Sequence, residues 1–353
     1  MRDEKSRQST NDKTRPATIK DVASRAGVGL GTASRVLNGN ENVAPELREA
    51  VFRAVEDLGY RRNSVARSMR LGTTHAVGCL VTDIRQPIAA EMIAASEAIL
   101  RRAGYTLIVA STHFDDRLEA EILSLMQNRV VDGMLLTINR DKDPETVRRL
   151  AGIKVPIVLW ERDPGSGFDT VVTEHRAGAR SATEHLLSLG HRDIALVAGR
   201  LDTWVGREQR AGFEAAFKHR RLHPPADSVF EVGAFGTREM EALFCREQPI
   251  TAIIANIDEI PGLLHFCAKR RLALPRDLSL VSIGDANILE VMTPSITAVR
   301  GNGTRVAQLA ANILLKKMSG NQSSQVSEHL TVRTQLKVRQ SSVPLAKAGG
   351  RRS

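Results

Sequence analysis

A chain of 353 residues, 42% hydrophobic and 25% charged, is too long for one ordinary core and suits a small module joined to a larger two-lobed domain. It has no run of about 20 apolar residues that could span a bilayer, and no apolar segment follows the charged start MRDEKSRQSTNDKTRP, so neither membrane insertion nor a signal peptide is expected. The formal net charge of +10 is carried by the ends: residues 1–72 hold 14 Lys and Arg against 9 Asp and Glu, residues 337–353 hold 5 basic residues and no acid, and the rest is neutral.

Residues 1–16 are polar and aperiodic and are expected to form a disordered arm. From Thr18, TIKDVASRAGV opens with a Thr-x-x-Asp capping pattern and places Ile19, Val22 and Ala23 on one helical face. Gly27 offers a turn, and a second helix from Gly29 to Leu37 turns Ala33, Val36 and Leu37 inward. Two short helices about a glycine turn make a helix-turn-helix pattern. A third helix starts at Pro45, a favoured first helical residue, and repeats Leu47, Val51, Ala54, Val55 and Leu58. A basic head of this kind fits a phosphate-binding module, while solubility alone would account for its charge equally well. Residues 63–72 read as a short helix, capped by Asn63, and a linker.

Beyond the linker, HAVGCLVTDI, YTLIVAST, VDGMLLTI, VPIVLW, DIALVAG, TAIIAN and LSLVSIG are short apolar runs. They alternate with amphipathic stretches such as IAAEMIAASEAILRRAG and VGREQRAGFEAAFKHR. That alternation predicts an α/β fold of two doubly wound parallel-sheet lobes over 73–340, with a ligand cleft between them. Residues 341–353 read as a basic disordered tail. Cys79, Cys245 and Cys267 form no Cys-x-x-Cys pair and are expected to be reduced, buried small hydrophobes.

The segments ATIKDVASRAGVGLGTASRVLNGNENV, LGYRRNSVARSMR and EHLLSLGHRDIALVAG closely resemble the lac repressor family of bacterial regulators, from about Ala17 to Arg339. The resemblance implies a helix-turn-helix domain over 17–62, a hinge helix over 63–72 and a body of the periplasmic-binding-protein type. It implies a cytoplasmic, nucleoid-associated repressor that binds double-stranded operator DNA. It further implies a homodimer or tetramer, and the short basic tail favours the dimer on a palindromic site. Base reading falls to Gly29, Leu30, Gly31, Ser34 and Arg35. Thr18, Ile19, Thr32, Asn38, Asn42 and Tyr60 match positions that contact or flank the DNA backbone, with capping and core packing as the other reading. Asn63, Ala66 and Met69 match the minor-groove positions of the hinge, where an apolar wedge kinks the duplex.

Several positions depart from the family pattern. The recognition helix presents one leucine between two glycines, so Leu30 is left to touch a thymine methyl. Arg35 is expected to supply the strongest contact, bidentate to guanine and worth about 1–3 kcal/mol, or else to hold phosphate. For the effector, the resemblance points to Phe235, to Asp83, Arg85 and Gln86 after the first strand, and to Asn256, Asp258 and Asp285. Gln209 stands where the family has a ligand-binding Arg, between Arg207 and Arg210. Gly284 replaces the first of two adjacent Asp residues. A missing carboxylate beside nearby guanidiniums suits an anionic effector such as a sugar acid or sugar phosphate. A periplasmic binding protein would share the lobes but lack the head. An enzyme would need a phosphate loop, a nucleophile elbow or metal-ligand spacing, none of which occurs. No catalytic residue, cofactor or metal is expected.

Overall fold

The computed structural model describes residues 17–40, 42–60, 73–128, 131–233, 236–320 and 327–345. Asn63, Ala66, Met69 and Phe235 lie outside these residues, as do the arm 1–16 and the whole segment 63–72 expected as a hinge. The chain divides into two compact units, Met1–Gly72 and Thr73–Ser353.

The first unit contains α1 (Ile19–Arg25), α2 (Leu30–Leu37) and α3 (Pro45–Asp57). Thr18 and Asp21 cap α1 reciprocally: the Asp21 amide donates to Thr18 Oγ1 at 3.4 Å, and the Thr18 amide donates to Asp21 Oδ2 at 2.8 Å. Two of the four orphan donors of the helix start are thereby satisfied. Gly27, at φ +67°, makes the turn into α2, a backbone region that costs glycine little. Val22, Ala23, Ala33, Val36, Val43, Val51 and Ala54 form the core. Leu47 and Leu58, expected on the apolar face of α3, are 41% and 36% exposed, because the buried stripe of the helix is centred on Val51 and Ala54.

The second unit has two six-stranded sheets. One orders its strands β11-β5-β4-β3-β1-β2, where β1 is Ala76–Val81, β2 Thr106–Ser111, β3 Gly133–Leu136, β4 Ile157–Trp160, β5 Asp169–Thr173 and β11 His329–Val332. All its pairings are parallel. The other orders β12-β10-β9-β8-β6-β7, from β6 (Ile194–Ala198), β7 (Val229–Glu231), β8 (Ala252–Asn256), β9 (Ser279–Ile283), β10 (Thr297–Arg300) and β12 (Gln335–Lys337). Only its edge strand β12 runs antiparallel, against β10. Helices α4 (Pro87–Arg102), α5 (Asp116–Gln127) and α6 (Pro144–Ala151) belong to the first lobe. The second lobe takes α7 (His175–Ser188), α8 (Trp204–His219), α9 (Thr237–Phe244), α10 (Ile260–Lys269) and α11 (Asn287–Val291). The chain then returns to the first lobe for α12 (Gly303–Met318), which packs on α4 and the sheet. It therefore crosses between lobes three times, at 173–175, 300–303 and 332–335.

Two expectations need correction. Cys245 is exposed, whereas Cys79 and Cys267 are buried and burial pushes their thiols up, to about 12 and about 11. The folded body also continues past residue 340. Ser341 is fully buried, with its hydroxyl 2.8 Å from the Thr297 amide and 2.5 Å from the Leu280 carbonyl. Ser342 Oγ meets His185 Nε2 at 2.9 Å, His191 Nε2 donates to the Val343 carbonyl at 3.0 Å, and the Leu345 amide donates to the Leu189 carbonyl at 2.8 Å. Residues 341–345, read as the start of a disordered tail, are thus fastened to the body, while 346–353 lie outside the described residues.

Burial holds both histidines below their ordinary value of 6.5, with the neighbouring His191 adding to the effect on His185. The unfolded chain takes up these protons first as the pH falls. The neutral pair therefore contributes its full stability above about pH 6.5 and loses it progressively below. Thermal melts from pH 7.5 down to 5 are expected to show a falling Tm, with a shallower slope in a His185→Asn/His191→Asn variant.

Candidate functional site

In the first unit, α2 turns Ala33 and Val36 inward and leaves Leu30, Gly31, Arg35 and Asn38 exposed. Leu30 is 45% exposed, so its side chain is open to a partner. A Cβ at Gly29 or Gly31 would meet open space, so packing within the headpiece does not require glycine at either position. The Arg35 guanidinium lies along its own helix, and among the described residues it is held by 3.4 Å contacts to the Gly31 carbonyl and Thr32 Oγ1. Ser34 and Asn38 are 3.4 Å apart one turn along, and the Asn42 amide donates to Asn40 Oδ1. Ile19 and Tyr60 pack against the core cluster, and Thr18 is spent on its cap.

In the second unit a cavity of about 440 Å³ lies between the lobes. The carboxyl ends of the strands line it: Thr137, Glu161 and Thr173 from the first sheet, Gly199, Asn256 and Gly284 from the second. This is where an open parallel sheet places ligands, because the loops there lead into helix starts. Glu161, at φ +55° and 6% exposed, accepts from Thr173 Oγ1 at 2.6 Å and from His175 Nε2 at 2.5 Å. Burial raises its carboxyl, but His175 and Thr173 outweigh burial and the net direction is down. The Trp204 ring meets His175 edge-on, with centroids 5.6 Å apart.

Arg162 is 5% exposed and lines the cavity. Its Nε donates to the Ile138 carbonyl at 2.6 Å and its Nη1 to the Glu161 carbonyl at 2.7 Å. Among the described residues no carboxylate is within hydrogen-bond reach of this guanidinium, and burial pushes its pKa down. The other basic side chains in the wall are His175, Arg200 and Arg300. Arg200 is paired with Asp202 at 2.7 Å and lies over the Phe114 ring.

Residues 18–63 match the family described as bacterial regulatory proteins, lacI family, and residues 183–342 match a periplasmic binding protein-like domain. A PurR HTH-type transcriptional repressor of Erwinia tasmaniensis is 33% identical over 321 residues, covering 88% of this chain and 94% of that protein. One from Haemophilus influenzae, strain PittEE, is 30% identical over 308 residues, covering 86% and 91%. The chain belongs to the lacI family. It is accordingly a DNA-binding transcriptional repressor with an effector-binding domain, and not an enzyme. Among solved structures, a CelR transcriptional regulator in complex with cellobiose is 27% identical, at a TM-score of 0.69, and spans 93% of this chain and all of that one. The lac repressor dimer bound to operator and the anti-inducer ONPF, 22% identical at a TM-score of 0.77 over 93% of this chain, shares the fold. No helix among the described residues is long and apolar enough to cross a membrane, and no group of three His, Cys, Asp or Glu there could hold a metal ion.

In this lacI-family chain the cavity gathers Gln86, Gln209, Asn256, Asp258 and Asp285 from the expected effector residues, and leaves four others out. Gln209 is 1% exposed, its Oε1 accepting from the Gly199 amide at 2.7 Å and its amide 3.4 Å from that of Asn256. Gln86 Nε2 donates across the cleft to Asp258 Oδ2 at 3.1 Å. Asp285 is held by Arg339 through two 2.9 Å bonds. Arg210 is not in the wall: it is exposed and pairs with Glu214 one turn on. Arg207 is directed to Asp141 at 3.0 Å. Asp83 and Arg85 bind each other at 2.6 Å, and the guanidinium holds the Asp83 carboxyl below its ordinary value. Sequence reasoning missed Glu161, Arg162, His175 and Arg200. For Glu161, Arg162 and Arg200 the available signal was polar residues directly after the strands VPIVLW and DIALVAG, at the carboxyl ends where the cleft forms.

Proposed function

We propose that the protein represses transcription as a homodimer on a roughly palindromic operator, and that an anionic small molecule, a sugar acid or sugar phosphate, sets its DNA affinity from the interlobe cavity. The observation that carries the effector class is Arg162, a buried guanidinium on the cavity wall with two carbonyl partners and no bound carboxylate. Asp141, Glu161, Glu119 and Asp202 act on this charge through space, but among the described residues no carboxylate is hydrogen-bonded to it, and a ligand carboxylate or phosphate would supply the two-pronged hydrogen bond that suits the planar fork. For the DNA, the exposed Leu30 and the loosely held Arg35 support direct reading in the major groove, with Gly29, Gly31 and Ser34 beside them. Thr32, Asn38 and Asn42 set register on phosphates, and Asn63, Ala66 and Met69 act in the minor groove. The protein works in the cytoplasm at the nucleoid.

Selection of duplexes from a random pool, followed by gel shifts of the enriched site, tests this reading. A palindrome is expected, together with a shift moved by gluconate or glucose 6-phosphate and left alone by glucose and cellobiose. Arg35→Ala is expected to weaken the enriched site by about 1–3 kcal/mol and to relax its preference at one base pair. Response to neutral sugars alone would remove the anionic effector, and enrichment of no sequence at moderate salt would remove α2 as a reader.

A further inference from the structure

Asp141 lies on the loop after β3 and its side chain is fully buried, yet it is not part of the cavity wall. Both carboxylate oxygens bridge the lobes. Oδ1 accepts from the Trp204 amide at 3.1 Å and from Arg207 Nη1 at 3.2 Å, while Oδ2 accepts from Arg207 Nη2 at 3.0 Å and, within its own lobe, from the Asp163 amide at 3.1 Å. Trp204 is the first residue of α8 and Arg207 belongs to the same first turn. The anion therefore meets the positive end of a helix dipole and one of its orphan amides as well as a guanidinium.

The loop that carries it is itself fastened. The Asn139 amide donates to Glu119 Oε2 at 2.5 Å, and Thr112 Oγ1 donates to Asn139 Oδ1 at 2.6 Å. On the opposite side of the cleft the lobes meet through Gln86 and Asp258, an exposed bond with one neutral partner. The contact on the Asp141 side is the stronger of the two, since both partners are charged, two hydrogen bonds join the same pair and the carboxylate is out of solvent, whereas Gln86 and Asp258 share one exposed bond with a neutral donor.

We propose that Asp141 is a latch that holds the first turn of α8 against the first lobe and biases the effector-free protein toward the closed cleft. Arg207 is its partner in the latch. A ligand in the cavity then has less ordering to supply, because part of the closure is already present. The inference stands on interlobe geometry and does not depend on which effector binds.

The test uses the full chain without ligand, with spin labels on α6 and α9 reporting the interlobe distance by pulsed electron resonance. Asp141→Asn keeps the size of the side chain and removes its charge. Arg207→Gln removes the other partner from a helix surface where its side chain is 34% exposed, so that variant folds. Each single variant is expected to shift the distance distribution to longer values, the double variant no further than either single, and 0.5 M NaCl to lengthen wild type more than Arg207→Gln. A wild-type distribution in Arg207→Gln would overturn the latch, whatever Asp141→Asn does. Additive lengthening in the double variant would overturn it too, because the two side chains would then act separately.

Discussion

An Arg162→Gln variant is expected to keep its fold and its operator affinity and to lose about 100-fold in affinity for an anionic effector. The estimate follows from truncating one partner of a desolvated charge pair, which costs about 2–5 kcal/mol. The wild-type side chain is fixed on two edges by the Ile138 and Glu161 carbonyls, so little rotamer entropy remains to be lost when the ligand arrives. Arg162→Lys keeps a charge but not the planar fork, and its loss is expected to be smaller, about tenfold. Calorimetry with gluconate or glucose 6-phosphate, whichever moves the gel shift, measures both variants. Wild-type affinity in Arg162→Gln would mean that the anionic group is held elsewhere in the cavity and that Arg162 serves only the loop.

Gly212→Val is expected to destabilise the second lobe by about 3 kcal/mol or more. Gly212 lies where α8 crosses α7, and a Cβ there would fall well inside contact of the Arg176 carbonyl oxygen and 3.0 Å from the Arg180 nitrogen. These obstacles are backbone atoms of a packed helix. They cannot rotate away, so the two helices must part and the Phe213–Phe217 core beneath them must reopen. Gly262 on α10 supplies the contrast. A Cβ there meets nothing within 4 Å, and Gly262→Ala is expected to raise stability by about 0.5–1 kcal/mol through helix propensity alone. Differential scanning calorimetry of the pair separates the effects: Tm should fall with the first change and rise with the second. Equal shifts would mean that the α7–α8 approach is looser than the backbone distances indicate.

The headpiece was legible from sequence because every signal in it is local. The Thr18 cap, the Gly27 turn, the Pro45 start and the spacing of Val22, Ala33, Val36 and Val51 act over a turn or two of helix. In the body, the long apolar strands were legible for the same reason. Strands β5, β7, β10, β11 and β12 and helices α6, α9, α11 and α12 were not singled out. Several of them occur where the chain changes lobe, and their pairing partners are far away in sequence, as when β11 at 329–332 completes the first sheet beside β5 at 169–173.

The effector residues divide along the same line. Gln86, Gln209, Asn256, Asp258 and Asp285 were reached through motif position and do line the cavity, whereas Arg207 and Arg210, three apart in sequence and alike in chemistry, were assigned to it together. Neither is in its wall, since Arg210 pairs with Glu214 on its own exposed helix surface and Arg207 reaches the other lobe at Asp141. Arg162 carried no motif, and only the convergence of two strand ends shows that its charge is buried beside an open space. By itself the sequence determined the helix-turn-helix, the alternation of strand and helix and the family, because those depend on short-range periodicity and on a contiguous motif. The tertiary structure decided which side chains face the cavity, which buried cation has no hydrogen-bonded carboxylate among the described residues and which carboxylate joins the lobes, because those depend on pairing segments separated by tens to hundreds of residues.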